Sequence, residues 1–249
     1  MTGYNYVSGS NTSTCQASGL WTDPRLNCTT TIMCKSPPTL LNANAAYSSV
    51  NLYSVASYSC VADHQFFGSS NKSACEMSRS WSGLNGTCER VAFYKLLLPF
   101  YGSVPGTVQT GWKMEVIGEP LDVERMTIEL RYQDDYKAIQ FDVRFRFGLF
   151  LKAVARNSFT AEGWGPEESF QQYFPFAVGR EFNLTFVVTS SGFDIYVDEV
   201  YFVSRQHYVE PSLIDEVVVL RGADVESVKL FYYSPADEVT PPFPLFSVK

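Results

Sequence analysis

The chain has 249 residues with 19 Lys+Arg against 26 Asp+Glu, a formal charge of −7, and it is 45% hydrophobic and 15% aromatic. An acidic balance argues against a partner held by phosphate contacts, so no nucleic-acid partner is expected. The aromatic content suits strands rather than a disordered chain, and the length admits one large domain or two or three smaller ones. No apolar run approaches the roughly 18 to 20 residues that a membrane span requires, so no span is expected.

All six cysteines, at 15, 28, 34, 60, 75 and 88, fall at the N-terminal end. That region is rich in Ser, Thr, Asn and Gly and short of large apolar side chains, so its core must be small and calls for covalent cross-links. Zinc is a poor alternative, because the sequence has no Cys-x-x-Cys and its only histidines are His64 and His207. No metal and no cofactor are expected. A shift of 60 residues superposes Cys15, Trp21 and Cys28 on Cys75, Trp81 and Cys88, with Ser10, Asn11, Ser13 and Ser18 recurring as Ser70, Asn71, Ser73 and Ser78. A repeat of this kind marks small modules with their own cores. The second unit holds Cys34, Cys60, Cys75 and Cys88, and spacing leaves its three possible pairings open.

This unit resembles a sushi (complement control protein) module through Cys34, Tyr58-Ser-Cys60, Phe67-Gly68, Cys75 and Trp81 before the closing Cys88. The resemblance implies disulfides Cys34–Cys75 and Cys60–Cys88. It also implies that residues 1–33 are the C-terminal half of a truncated module, with Cys15 and Cys28 either paired together or free, and with any signal sequence upstream. Five Asn-x-Ser/Thr sequons, at Asn11, Asn27, Asn71, Asn85 and Asn183, add to an extracellular or secreted reading.

From residue 90 onward, short runs with period-two alternation are separated by Gly, Pro, Asp and Ser, and no helical periodicity persists. The expected strands are Met114–Ile117, Arg125–Tyr132, Ala138–Phe147, Phe182–Val188, Phe193–Val197, Val200–Val203, Glu216–Leu220 and Val225–Tyr232. They predict an all-β chain whose larger part is a two-sheet sandwich. In the strand through Phe141, Val143, Phe145 and Phe147, the opposite face carries Gln140, Asp142, Arg144 and Arg146. On pattern alone that is the solvated face of an edge strand. The next strand brings the small residues Ala153 and Ala155 and the polar Asn157, which would leave a depression beside Arg144. Trp164, set between Gly163 and Gly165, is placed to present its ring outward. A sugar's apolar face can lie on such a ring while Arg144, Asn157 and Glu167 address its hydroxyls.

The spacing Arg144 to Asn157 to Trp164 to Glu167 resembles the galectin carbohydrate-recognition motif, supported by Pro99 to Gly106, Phe174-Pro-Phe176 with Gly179, and Val228 to Tyr232. The resemblance covers residues 90–234 and implies a galectin-like jelly-roll sandwich. It also implies a carbohydrate site of Gln140, Asp142, Arg144, Asn157, Trp164 and Glu167. Three positions depart from the family pattern: Gln140 replaces a His, Asp142 an Asn, and Ser169 the final Arg. An ionised Asp142 accepts only and is expected to pair with Arg144, competing with sugar.

The expected organisation is 1–33 partial sushi module, 34–89 complete sushi module, 90–234 galectin-like domain and 235–249 a Pro-containing tail. The expected function is glycan binding, of galactose-containing glycans first, with weakened affinity for lactose. The alternative is an adhesion or matrix protein that contacts other extracellular proteins. No enzymatic activity is expected: Asp194 and Asp198 could share a strand face as a glycosidase pair requires, but Asp198-Glu199 reads better as a hairpin turn. Asp134-Asp135 likewise reads as a hairpin tip.

Overall fold

The computed structural model describes residues 4–9, 12–22, 26–30, 32–121, 124–133 and 135–232. Asn11, Asp134 and the tail 235–249 lie outside them, as do the side chains of Asn27 and Cys28. The chain divides into two compact units, Met1–Glu89 and Arg90–Lys249. Among the described residues there is no α-helix, and a single 3-10 turn spans Pro211–Leu213.

In the first unit, β1 (Tyr4–Gly9) pairs with β2 (Leu26–Thr30). β3 (Ala43–Ala46), β4 (Val55–Cys60), β6 (Lys72–Cys75) and β7 (Trp81–Ser82) form a four-stranded sheet in that order, while β5 (His64–Ser70) pairs with β8 (Asn85–Arg90). Gly68 and Gly86 face each other across the β5–β8 pair, and a Cβ on either would collide with the other strand's backbone. Glycine is therefore what lets these strands close. The core is small: Ala56, Tyr58, Leu52 and the cysteines Cys34, Cys75 and Cys88 are buried. Disulfides Cys34–Cys75 and Cys60–Cys88 tie it together, with Cα separations of 5.9 and 5.6 Å. Tyr58 and Trp81 strap the entering segment by donating to the Pro38 and Lys35 carbonyls, at 2.7 Å each. Cys15 is exposed, with its thiol unbridged.

The second unit is a sandwich of two six-stranded sheets. The first runs β10 (Phe100–Ser103), β19 (Glu216–Arg221), β12 (Arg125–Tyr132), β13 (Tyr136–Phe147), β14 (Phe150–Thr160), β15 (Gly163–Trp164). The second runs β18 (Val200–Gln206), β17 (Gly192–Val197), β16 (Phe182–Val188), β11 (Lys113–Pro120), β20 (Ala223–Phe231), β9 (Ala92–Leu96). Alternating apolar positions meet between them: Ile128, Phe141 and Val217 from one sheet, Met114, Phe186 and Ile195 from the other, all buried. The rings of Phe141 and Phe186 lie 5.5 Å apart across the interface. β9, β10 and β15 are absent from the strands expected from periodicity: β15 has two residues, and neither Ala92–Leu96 nor Phe100–Ser103 alternates apolar with polar side chains.

The solvated-edge reading of β13 is corrected. β13 lies between β12 and β14, and on its outer face Asp142 and Arg144 are buried together with Thr127 and Glu129 of β12. Polar residues are buried there because they satisfy one another, a condition that alternation alone cannot reveal. The Asp198-Glu199 turn stands as expected, both residues having positive φ, 52° and 65°, between β17 and β18.

Candidate functional site

Strand register builds the outer face of the first sheet as three rungs. Gln140 lies between Glu129 and Asn157, Asp142 between Thr127 and Ala155, and Arg144 between Arg125 and Ala153. An extra residue on β13 around Ala138 shifts its pairing with both neighbours, at Leu130/Arg131 of β12 and between Lys137 and Gln140 of β13, and so sets this register.

Asp142 sits at the centre. One carboxylate oxygen accepts from the Thr127 hydroxyl at 2.8 Å and faces Arg125 Nε at 3.2 Å, and the other accepts from Arg144 Nε at 2.9 Å. The pairing with Arg144 expected from sequence is thus present, and Asp142 is turned away from solvent. Arg144 uses its remaining fork on Glu167, donating from Nη1 at 2.9 Å and Nη2 at 2.8 Å. The Phe150 ring covers the guanidinium at 4.6 Å. The bond to Glu167 raises the Arg144 pKa, and the same bond holds the Glu167 carboxyl below its usual value.

Gln140 donates from Nε2 to Glu129 at 2.6 Å, and Glu129 also accepts from Arg131 Nε at 2.6 Å. A carboxylate can only accept, so the amide must give Glu129 its NH2 and keep Oε1 as a separate acceptor. Asn157 accepts the Ser158 N–H at 2.8 Å through Oδ1, which leaves Nδ2 without a protein partner among the described residues. Trp164 is 52% exposed, its ring leaning on Phe159 at 5.1 Å with the Lys137 ammonium 5.7 Å from its centroid. Gly163 holds a φ of +98°, which side chains rarely adopt, and this lets the chain turn into Trp164.

The structure therefore brings Gln140, Asp142, Arg144, Asn157, Trp164 and Glu167 onto one face, while Ser169 stands exposed on the following segment. Sequence reasoning missed the supporting groups. Thr127 and Glu129 had a signal, as polar residues at alternating positions of an apolar strand. Arg205 had none. Its side chain is fully buried and pins the loop that carries Trp164 and Glu167: Nη1 pairs with Glu168 at 2.9 Å and donates to the Pro166 carbonyl at 3.3 Å. Nη2 reaches Asn157 Oδ1 at 3.5 Å, and the Tyr208 ring stacks on the guanidinium at 4.5 Å. Burial pushes the Arg205 and Arg156 pKa values down, and Glu168 opposes both shifts.

Among the described residues no group of His, Cys, Asp or Glu is placed to hold a metal, and no helix is long and apolar enough to cross a membrane. Of the sequons, Asn71 and Asn85 are exposed, and Asn183 is half-buried on β16, donating to Glu115 at 3.2 Å.

Comparison with known proteins agrees with the fold of both units. Residues 99–230 match the family model described as galactoside-binding lectin, and residues 34–88 match that of the sushi (SCR) repeat. The chain is 25% identical over 150 residues to Galectin-6 of Mus musculus, covering 59% of this chain and 49% of the relative. It is 26% identical over 145 residues to Galectin-4 of Rattus norvegicus, covering 57% and 44%. The chain thus spans about half the length of the curated relatives it matches. Its fold is similar to the crystal structure of Caenorhabditis elegans galectin LEC-6, with a TM-score of 0.50 and 24% identity over 57% of this chain and 96% of that one. It is also similar to a double variant of human galectin-16, with a TM-score of 0.50 and 23% identity over 56% of this chain and 99% of that one. With a family model matching more than half its length, the chain belongs to the galactoside-binding lectins and carries a galectin-like carbohydrate-binding domain after a sushi repeat.

Proposed function

We propose that the outer face of the first sheet binds an extracellular glycan through a modified β-galactoside site. The observation that carries this reading is the half-exposed Trp164 ring beside Asn157 Nδ2 and the Arg144–Glu167 fork. A pyranose lies with its apolar face on Trp164. Its hydroxyls take the two N–H groups that Arg144 does not spend on Asp142 and Glu167, together with Asn157 Nδ2, the Gln140 carbonyl oxygen and the free lone pairs of Glu167. Asp142 takes no direct part; it orients Arg144 from below. With Asp142 and Phe150 already holding Arg144, and with Ser169 in place of an Arg, lactose binds weakly. The two disulfides and the exposed sequons at Asn71 and Asn85 support a secreted setting.

A second reading is favoured by one observation: Arg144 is only 8% exposed. If its partners do not yield, the face is a self-satisfied surface, and the protein acts through protein contacts of its two modules. Titration calorimetry of the full chain with lactose, followed by a broad glycan array, separates the two. Glycan binding that falls at least about tenfold in Trp164→Ala supports the lectin reading, since loss of an aromatic platform costs about 1.5 kcal/mol or more. Binding that is unaffected by Trp164→Ala, or a folded protein that takes no glycan, refutes it in favour of protein contacts.

A further inference from the structure

The hairpin between β13 and β14 does not end with its sheet. Among the described residues β12 pairs with β13 as far as the rung Arg125–Arg144, and beyond it Phe145 and Arg146 have the Glu124 carbonyl as their backbone partner from that side. The hairpin continues through Arg146–Leu151 and Phe147–Phe150 to a two-residue turn at Gly148-Leu149. At about 3.3 Å per residue, the overhang past Arg144 is roughly 10 Å.

Such a tip ordinarily carries Asn, Asp, Gly or Ser, and only its first central position, Gly148 with a φ of +59°, needs special freedom here. Instead Leu149 is fully exposed, Leu151 is 69% exposed and Phe150 is 40% exposed. Phe170 is 84% exposed on the neighbouring segment, which Gln171 fastens to β14 by bonds to Val154 N and the Lys152 carbonyl. Phe150 packs on Arg144, but among the described residues the exposed Leu149, Leu151 and Phe170 are not required to be apolar by the core. Arg146 and Lys152 bracket the tip, both exposed and neither in an ion pair among the described residues. An apolar apex with a basic collar is the pattern that seats in a head-group layer, where apolar side chains sink about 5 to 10 Å and cations meet lipid phosphates.

We infer that the tip Arg146–Lys152 is a lipid-surface anchor: Leu149, Leu151 and Phe170 enter the interface of a bilayer with anionic head groups, and Arg146 and Lys152 contact their phosphates. The acidic balance of the whole chain does not oppose this, because charges farther than about 8 Å are screened at physiological ionic strength. Phe150 is kept back on Arg144, so the anchor adjoins the candidate sugar face and would orient it along a membrane.

The test is flotation of the full chain with vesicles of phosphatidylcholine alone and of phosphatidylcholine mixed with phosphatidylserine, neither carrying any sugar. The chain floats with the mixed vesicles, less so as salt is raised. Leu149→Ser with Leu151→Ser weakens binding by about a hundredfold, since a buried leucine contributes at least a tenfold factor. Arg146→Ala with Lys152→Ala weakens it by on the order of twentyfold, about fivefold per cation. Both double variants should melt as the parent does, because the residues changed are solvent-exposed. Trp164→Ala floats like the parent, which separates this proposal from the lectin reading. Failure of the parent chain to float, or equal flotation of the leucine variant, overturns the anchor. So does a parent dimer in sedimentation that the leucine variant splits, since the tip would then be a contact between copies of the chain.

Discussion

Arg205→Met tests whether the loop bearing Trp164 and Glu167 is positioned from the opposite sheet. The substitution keeps the buried stem and removes the guanidinium. It loses one short charge-assisted bond, to Glu168 at 2.9 Å, worth about 1.5–3 kcal/mol. The contacts to Pro166, Ser158 and Asn157 are long, at 3.3, 3.4 and 3.5 Å, and together add under about 1 kcal/mol. Two effects oppose the loss. The desolvation that depresses the Arg205 pKa is no longer incurred, and Arg156 is relieved of a neighbouring like charge. Glu168, 38% exposed at its side chain, can also rehydrate. The net cost is about 1–3 kcal/mol, a fall in Tm of roughly 3–10 °C for a domain of this size. Loosening of the loop should also lower glycan affinity and shift Trp164 fluorescence, while Arg205→Lys recovers part of both. Differential scanning calorimetry and array binding read the two quantities. An Arg205→Met protein with unchanged Tm, fluorescence and glycan binding would refute the positioning argument.

The Arg144–Glu167 fork makes a pH prediction. Glu167 has a folded pKa held below 4.5, so its contribution is complete above the ordinary glutamate value and is lost as pH falls through the depressed one. The parent should therefore melt above Glu167→Gln at neutral pH, with the gap closing only in acid below 4.5; a gap that does not vary with pH between 7 and 3 contradicts the fork. In the first unit, the disulfides close separations of 41 and 28 residues, each worth about 4 kcal/mol by loop entropy. With so small a core, Cys34→Ser with Cys75→Ser should unfold that unit at 37 °C, seen as lost dispersion of its amide NMR signals; a folded double variant would show that the apolar core suffices.

Much of the molecule was legible in one dimension. The clustering of cysteines marked a small cross-linked module, and period-two alternation placed β12, β16 and β17 to within one residue, because a half-buried strand writes its burial pattern into its sequence. The spacing of Arg144, Asn157, Trp164 and Glu167 brings these residues near one another because the first three sit on the adjacent strands β13, β14 and β15 and Glu167 follows β15 directly. β9 and β10 do not alternate apolar with polar side chains and β15 has two residues, which is why these three were absent from the reading. Asp142 and Arg144 on the outer face of β13 also looked solvated when they are buried, since a polar residue reads the same whether water or another side chain satisfies it.

By itself, then, the sequence determined an all-β chain with a cross-linked module ahead of a sandwich, which follows from local periodicity and cysteine placement, while the residues of the candidate face came from the resemblance to the galectin motif. Only the tertiary structure decided how those residues are engaged: that Asp142 is spent on Thr127, Arg125 and Arg144, that Glu129 fixes the Gln140 amide, and that Arg205 reaches from β18 to hold the Trp164 loop. These partners lie on other strands, up to 48 residues away for Arg205 and Asn157. Hydrogen bonding of buried polar groups depends on distance and direction in space, which no spacing along the chain records.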